Sequence, residues 1–268
     1  MPVAQRAPLD LSVYLVTDTG LCGAVGVVET VRRAVAAGAS LVQLRDPSAD
    51  DSTFVALGRA LVAALAGTGV PLLVNDRVDL VAAIGADGAH VGQGDMAAAA
   101  ARRVLGPDAY LGLSVNTPAE LCAAREAQAA GAELDYLGLG IYKPTASKLD
   151  HAPAGGLDHV AALAAASPWP TCAIGGVKAA DAPALRRAGL DGMAVISAIC
   201  GRPDIEAATR ELVAAWAAGA TSVAEPDLGG APRPGGRSFT TDDRPAPPRW
   251  REATPVAQSH PRRARPPM

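Results

Sequence analysis

The sequence predicts an α/β protein: a single (β/α)8 TIM barrel with a disordered C-terminal tail. Short apolar runs rich in β-branched residues alternate with Ala-rich stretches of helical period, which is typical of βα units around a parallel sheet. Eight such units follow one another along the chain. The chain has 268 residues, 49% of them hydrophobic, and single α/β barrels commonly occupy roughly 200 to 250 residues.

The eight predicted strands are the apolar runs, taken in chain order. They cover residues 12–17, 40–45, 71–74, 88–91, 109–114, 134–139, 170–174 and 191–196. The pairs Gly38-Ala39 and Gly131-Ala132 precede two of them, where a helix is expected to end through a left-handed glycine. Short connections favour closure of the sheet into a barrel, and a doubly wound open sheet is the alternative.

Composition divides the chain into three segments. Residues 1–10 form a short leader, and residues 11–221 form the barrel that we expect to be the catalytic domain. Residues 222–268 are rich in Pro, Gly and Arg and have no hydrophobic periodicity, which is typical of a disordered segment. A docking segment for an anionic partner is the alternative for this tail.

Charge and composition limit the class of ligand. A formal charge of −3 and an aromatic content of 3% offer neither a basic field nor a stacking surface for nucleic acid. Neither a secretory signal nor a run of ~18 apolar residues is evident, so we expect a cytoplasmic protein with no membrane partner. The four cysteines lack the paired spacings of a zinc site. The expected partners are small-molecule substrates, and the oligomeric state is left open.

Polar residues close several predicted strands, at the end of the barrel where enzymes of this fold carry their active site. Gln43 and Arg45 lie at the end of strand 2, Asn75 follows strand 3, and Ser114 ends strand 5. A polar residue in an apolar strand costs free energy unless it has a partner or a function. His90, near the end of strand 4, is either a contact to a bound heterocycle or a satisfied core residue.

Two aspartates indicate a metal site. Asp76 and Asp95 follow adjacent strands, so their carboxylates are expected to converge on one cation. Mg²⁺ typically uses one or two carboxylates together with water and substrate phosphate oxygens, which fits this pair. The alternative is that each aspartate caps the helix that follows it.

Two groups of residues indicate phosphate binding. Arg45 and Lys148 supply the positive charge that a multiply charged leaving group requires, although ordinary surface ion pairing is an alternative for both. Gly176 and Ser197 follow strands 7 and 8, whose loops form the recurrent phosphate site of this fold. For the two adjacent glycines, a simple tight turn is the other reading.

A set of motifs in fixed order resembles a known family. The motifs are QLRDP, VNDRVDLVAAIGADGAHVGQGD, LGLSV, YLGLGIYKPTASK, AIGGV and DGMAVISAI, and they extend over roughly residues 10 to 218. In order and approximate spacing they resemble the thiamine-phosphate synthase family. The resemblance implies a transferase that joins hydroxymethylpyrimidine diphosphate to a thiazole phosphate with Mg²⁺ present and releases pyrophosphate.

The resemblance also implies roles for individual residues. The implied pyrimidine-diphosphate ligands are Gln43, Arg45, Asn75, Ser114 and Lys148, of which Arg45, Ser114 and Lys148 are the expected catalytic residues. Asp76 and Asp95 are the implied metal ligands. The implied thiazole-phosphate site consists of Thr145, Ser147, Gly176, Ile196 and Ser197.

Pro47 is a departure from the family pattern, because the family commonly has Lys at this substrate-contacting position. A cation facing the pyrophosphate is then missing unless Lys143 supplies it.

The chemistry that the resemblance implies needs no enzymic nucleophile. Pyrophosphate can leave before the new bond forms, because the aminopyrimidine ring shares the developing cationic charge. The protein then has to neutralise the leaving group and hold the thiazole nitrogen in line. The alternatives are a thiazole tautomerase of the same barrel family and a non-catalytic ligand-sensing barrel.

Overall fold

Eight parallel strands form a closed barrel in the computed structural model, which describes residues 6–144 and 154–221. The strands are β1 (Val13–Val16), β2 (Leu41–Leu44), β3 (Leu72–Asn75), β4 (Gly88–Val91), β5 (Tyr110–Val115), β6 (Tyr136–Leu139), β7 (Thr171–Ile174) and β8 (Gly192–Val195). They pair in chain order, and β1 pairs with β8 to close the ring. The barrel prediction is therefore confirmed, and the open sheet is excluded.

Helices follow each strand and cover the outside of the barrel. In the described part of the chain the helices are α1 (Thr19–Cys22), α2 (Val27–Ala36), α3 (Asp51–Leu65), α4 (Val81–Ile84), α5 (Ala98–Leu105), α6 (Pro118–Ala129), α7 (Gly156–Ala166), α8 (Ala182–Arg187) and α9 (Ile205–Thr221). Three single 3₁₀ turns lie at Gly23–Val25, Val78–Leu80 and Ala179–Asp181. None of the described helices has the length and apolar character needed to span a membrane.

Local sequence signals fix several helix ends. Asp50 precedes α3, and its carboxylate accepts a hydrogen bond of 2.7 Å from the backbone N–H of Thr53, which satisfies a donor that the helix leaves unpaired. Gly38 follows α2 with φ of 109°, and Gly131 follows α6 with φ of 88°. Both glycines lie where the sequence predicted a left-handed residue, because a side chain is strained at such angles.

Alternate residues along each strand face opposite sides of the barrel wall. In β1, Val13 and Leu15 pack outward against the helices, whereas Tyr14 and Val16 face the interior. The interior cluster is small and comprises Leu11, Tyr14, Val16, Leu41, Leu73, Tyr136, Cys172 and Ala194. Most of the apolar burial that stabilises the fold therefore lies between sheet and helices, while the interior is left to fewer side chains.

Arg102 closes the end of the barrel that lies at the amino termini of the strands. Its buried guanidinium forms an ion pair of 3.2 Å with Asp135. It also donates to a ring of backbone carbonyls, those of Gly106, Ala109, Ala132 and Glu133, at distances of 2.6–3.1 Å. A buried charge is tolerated only when it is paired and hydrogen-bonded, so this residue joins the loops before β5 and β6.

Candidate active site

A cavity of about 350 Å³ opens at the carboxyl ends of the strands. Seven residues predicted from the sequence line it: Gln43, Arg45, Asn75, Ser114, Gly176, Ile196 and Ser197. These residues come from five different strand ends or the loops that follow them. The structure therefore brings together, in one cavity, side chains that lie far apart along the chain.

A second, smaller cavity of about 80 Å³ adjoins the first one. Arg45 and Asn75 line both cavities. Pro47 and Asp76 line only the smaller one. The smaller cavity thus brings Asp76, one of the two predicted metal ligands, close to Arg45 and Pro47.

Five side chains form a continuous hydrogen-bond chain across the floor of the main cavity, from β2 to β5. The amide nitrogen Nε2 of Gln43 donates to the hydroxyl of Tyr14, which lies 2.8 Å from the hydroxyl of Tyr136. Tyr136 lies 2.8 Å from Nδ1 of His90, and Nε2 of His90 lies 2.8 Å from Oγ of Ser114. We call this set, Gln43, Tyr14, Tyr136, His90 and Ser114, the floor chain.

The floor chain links the proton positions of its members. In one arrangement that satisfies every group, Gln43 donates to Tyr14, Tyr14 donates to Tyr136, Tyr136 donates to Nδ1 of His90, and Nε2 of His90 donates to Ser114. In that arrangement the Ser114 hydroxyl is left to donate to a ligand. Burial raises the pKa of Tyr14 and of Tyr136 above the ordinary value for tyrosine, so both phenols remain neutral hydrogen-bonding groups.

Two glycines make room for the rings of the floor chain. A methyl group on Gly112 would overlap the ring of Tyr136. A Cβ on Gly138 would lie 3.2 Å from Cε1 of His90, which is a tight contact. The inward-facing glycines of β5 and β6 therefore allow two rings to pack inside an eight-stranded barrel.

Arg45 projects to the mouth of both cavities. Its only ion pair among the described residues is a long one, with Nη1 of the guanidinium 3.9 Å from Oδ2 of Asp18. The backbone N–H of Arg45 donates to Oγ1 of Thr17 at 2.9 Å, which fixes the end of β2 against β1. The ion pairing given as the alternative for Arg45 is thus present but long, and the guanidinium lines both cavities, where an anion can reach it.

Neither predicted metal ligand caps a helix. Asp76 has φ of 60° and accepts a hydrogen bond of 2.5 Å from Nδ2 of Asn75, while α4 and the turn before it have no side-chain cap. Asp95 accepts a hydrogen bond of 2.8 Å from the backbone N–H of Gly92, and α5 is likewise uncapped by a side chain. The capping interpretation is wrong for both residues.

Asp76 and Asp95 are the only two protein ligands proposed for the metal ion. No group of three or more His, Cys, Asp or Glu side chains is arranged to hold a metal ion within the part of the chain that the structure describes. A fully protein-built metal cage is thus absent there. A pair of carboxylates completed by water and substrate phosphate oxygens fits Mg²⁺. Asp95 itself lines neither cavity, although Gly92 and its neighbours line the main one.

Backbone glycines shape the opposite side of the cavity. Gly175 and Gly176 follow β7 with φ of 99° and 62°. A Cβ on Gly176 would lie 2.9 Å from the carbonyl oxygen of Pro144 and 2.9 Å from Cβ of Lys143. The glycines are therefore needed for close approach as well as for backbone angle, and they leave backbone N–H groups accessible beside Ser197.

Lys143 does not replace the cation missing at Pro47. Its ammonium lies 2.5 Å from Oδ1 of Asp181 and 5.0 Å from the ring of Tyr142. It follows β6, four strands around the ring from β2, whose end precedes Pro47. Three further predicted residues, Thr145, Ser147 and Lys148, lie outside the described residues.

Sequence reasoning missed several residues of the site. Tyr14 and Tyr136 lie in predicted strands and were not singled out as site residues. Gln93 lies in a predicted loop, and its Nε2 donates to the carbonyl of Ser114 at 2.6 Å. His90 was left between two interpretations: the structure confirms a buried, hydrogen-bonded core residue, and because His90 also lines the cavity, its contact with a bound heterocycle stays a prediction. The useful signal was the period of two, which places Tyr14 and Tyr136 on the same inner face as Gln43 and Ser114.

Comparisons with known proteins agree with the motifs. A family model described as thiamine monophosphate synthase matches residues 13–199. The thiamine-phosphate synthase of Azorhizobium caulinodans is 47% identical over 76% of this chain and 94% of its own length. That of Xanthobacter autotrophicus is 49% identical over 78% of this chain and 96% of its own length.

Solved structures agree as well. The thiamine phosphate pyrophosphorylase of Pyrococcus furiosus has a TM-score of 0.68 and 32% identity, covering 78% of this chain and 97% of its own. A 3-hexulose-6-phosphate synthase, with a TM-score of 0.55 and 21% identity over 78% of this chain and 99% of its own, shares the fold alone. With the family match extending from β1 to the loop after β8, the chain belongs to the thiamine monophosphate synthase family.

Proposed function

We propose that the mouth of this barrel carries out the family reaction with a separate set of residues for each part of the two substrates. The chain is a transferase that condenses 4-amino-2-methyl-5-hydroxymethylpyrimidine diphosphate with 4-methyl-5-(2-phosphoethyl)thiazole. The products are thiamine phosphate and pyrophosphate. The observation that carries the residue roles is the single cavity that Gln43, Arg45, Asn75, Ser114, Gly176, Ile196 and Ser197 share.

The pyrimidine ring binds over the floor chain. Gln43 and Ser114 lie at its two ends, so both polar groups are held by buried partners before the substrate arrives. Asn75 adds an amide at the next strand end. Such prior positioning lowers the ordering cost of binding, and it keeps the methylene carbon in line with the second substrate.

The diphosphate extends from the ring toward the smaller cavity. Arg45 at the mouth of both cavities binds it through its guanidinium, and Lys148 supplies a second cation by the family resemblance. Asp76 and Asp95 would hold Mg²⁺, and the bound ion would neutralise negative charge on the pyrophosphate. Because the leaving group gains charge as its bond breaks, losing one positioned cation is expected to cost on the order of 10²–10³ in turnover.

The thiazole phosphate binds on the opposite side, where Gly176, Ile196 and Ser197 line the cavity. Thr145 and Ser147 are proposed ligands of the same phosphate by the family resemblance. The anchored phosphate leaves the thiazole nitrogen free to face the pyrimidine methylene. No side chain is required as a covalent nucleophile, because the nitrogen attacks the carbon directly.

A coupled-product assay tests this function. The purified protein is incubated with both substrates and Mg²⁺, and thiamine phosphate and pyrophosphate are each quantified by mass, with and without a chelator. Formation of both products in equal amounts, abolished by the chelator, is the expected result. Binding of both ligands without coupling would instead favour a sensing barrel, and interconversion of thiazole isomers alone would favour a tautomerase.

A substitution at Lys148 separates leaving-group stabilisation from binding. Lys148→Ala is expected to lower kcat while the KM for the thiazole stays within about two-fold. A change confined to the KM for the thiazole would contradict the role proposed for this lysine. The exposed Arg103 on α5 provides a control, since Arg103→Ala removes a cation from the outer surface of the barrel.

A further inference from the structure

Lys178 lies at the rim of the main cavity, on the side that carries the glycines after β7. Its ammonium nitrogen donates to Oγ of Ser197 at a distance of 3.2 Å. Ser197 itself lines the cavity. The side chain of Lys178 is exposed, so a charged ammonium is available beside a hydroxyl at the cavity edge.

No carboxylate neutralises this ammonium among the residues that the structure describes. The nearest candidate along the chain, Asp181, accepts hydrogen bonds from three donors, one of which is the hydroxyl of Tyr142 at 3.3 Å. Its Oδ1 lies 2.5 Å from Nζ of Lys143, and its Oδ2 accepts a hydrogen bond of 2.9 Å from the backbone N–H of Lys178. Asp181 therefore fixes the backbone of Lys178 at the rim while its charge is paired with a different lysine.

Gly176 and Ser197, which both line the main cavity, also carry backbone N–H groups. Within the described segments, the N–H groups of Gly176 and Ser197 donate to no other residue. Two accessible backbone N–H groups, one hydroxyl and one ammonium together form an oxyanion site, in which every group is a potential donor. We call these groups of Gly176, Ser197 and Lys178 the rim site.

We propose that Lys178 is a phosphate ligand that makes the enzyme select a phosphorylated thiazole over the corresponding alcohol. Its ammonium pairs with the phosphate of the second substrate, while Gly176 and Ser197 bind the remaining oxygens. This inference rests on the proposed function, because that function supplies the phosphate ester. Lys178 takes no part in the bond-forming step and acts through binding and specificity.

The proposed ion pair between Lys178 and the phosphate predicts a measurable preference for the thiazole phosphate over the thiazole alcohol. Lys178→Ala is expected to raise the KM for the thiazole phosphate about ten-fold, as a charge-assisted hydrogen bond at a partly solvated site would. The kcat and the KM for the pyrimidine diphosphate are expected to remain within two-fold. With the thiazole alcohol as substrate, the parent protein and Lys178→Ala are expected to be equally poor. Lys178→Arg keeps the charge and is expected to recover most of the affinity.

Direct binding makes the test independent of turnover. Titration calorimetry with the thiazole phosphate, at low and at high salt, is carried out on the parent protein, Lys178→Ala and the control Arg103→Ala. A loss of affinity and of salt dependence in Lys178→Ala alone supports the proposal. Equal losses for the phosphate and the alcohol, or unchanged affinity for the phosphate, would overturn it. Binding of the thiazole phosphate without formation of thiamine phosphate would reject the proposed function. The titrations would still show whether Lys178 binds the phosphate.

Discussion

The hydroxyl of Tyr136 lies 2.8 Å from Nδ1 of His90 in the interior of the barrel, between two strands that are not neighbours. This contact joins the Gln43 half of the floor chain to the Ser114 half. Tyr136→Phe removes the hydroxyl, so Tyr14 and His90 each lose one hydrogen-bond partner in the barrel interior. We expect a loss of roughly 1–3 kcal/mol in unfolding free energy and at least a ten-fold loss in kcat/KM for the pyrimidine diphosphate.

A tyrosine at the other end of the barrel provides the control for that substitution. The hydroxyl of Tyr110 donates to the carbonyl of Ala7 at 3.0 Å, away from the cavity. Tyr110→Phe also removes a hydroxyl from a half-buried ring, and it is expected to leave kcat/KM within two-fold. Denaturant unfolding and steady-state kinetics on both variants separate the two effects. Equal kinetic losses in both would mean that the floor chain only supports the fold.

Metal dependence tests the two aspartates. Asp76→Asn and Asp95→Asn keep the shape of the side chain, and asparagine tolerates the left-handed backbone of Asp76. Each variant is expected to need at least about ten-fold more Mg²⁺ for half-maximal activity, with little change in melting temperature. The control is Asp108→Asn, at the exposed loop before β5. An unchanged Mg²⁺ titration in both site variants would exclude them as metal ligands.

Pro47 offers a gain-of-function experiment. It lines the smaller cavity with Arg45 and Asp76, and no lysine from the described part of the chain lies on that cavity wall. Pro47→Lys is expected to lower the KM for the pyrimidine diphosphate by roughly three- to ten-fold, because it adds a cation where the pyrophosphate is proposed to bind. The KM for the thiazole phosphate serves as the internal control. A higher KM for the diphosphate would indicate that the loop after β2 needs the rigid proline.

Thiol chemistry tests the interior environment. Burial raises the pKa of Cys172, whose side chain lines the cavity, to about 12. Only roughly one molecule in ten thousand carries the thiolate at pH 8, and the thiolate is the nucleophile toward alkylating reagents. Iodoacetamide is therefore expected to modify the exposed Cys122 and to leave Cys172 unmodified until the protein is unfolded, as followed by peptide mass. Equal rates in the native protein would show that the floor of the cavity is open to water.

Removing residues 222–268 tests the proposed domain boundary. The Azorhizobium and Xanthobacter relatives match 76% and 78% of this chain but 94% and 96% of their own length, so they contain little that corresponds to the tail. A chain ending at residue 221 is expected to retain its melting temperature and turnover. A chain ending before Trp216 is expected to lose about 3–5 kcal/mol, because this buried ring packs against Arg186. Loss of activity in the chain that ends at residue 221 would assign a role to the tail.

The fold was predictable because its signals are local and repeated. Each strand is a short apolar run, and Gly38 and Gly131 mark the ends of the helices before β2 and β6. The polar strand ends also located the site, since Gln43, Asn75 and Ser114 interrupt apolar runs. Where such a residue points follows from the period of two, which is a property of the strand alone.

The hydrogen bonds between distant strands could not be predicted from the sequence. Tyr14 and Tyr136 are separated by 122 positions, and nothing in either strand indicates that the hydroxyls meet. Their contact depends on the closed ring and on the absence of a side chain at Gly112. The partner of Lys143 was equally hidden, because Asp181 belongs to a different βα unit.

The position of the Arg102 network indicates which part of this enzyme can accept substitutions. It ties loops together at the end of the barrel away from the cavity, and none of its partners lines the cavity wall. Substitutions at the mouth can alter substrate choice without loosening that network. The scaffold is thus suited to laboratory evolution toward altered pyrimidines or thiazoles, because residues at the cavity mouth can be changed while the stabilising contacts of Arg102 are kept.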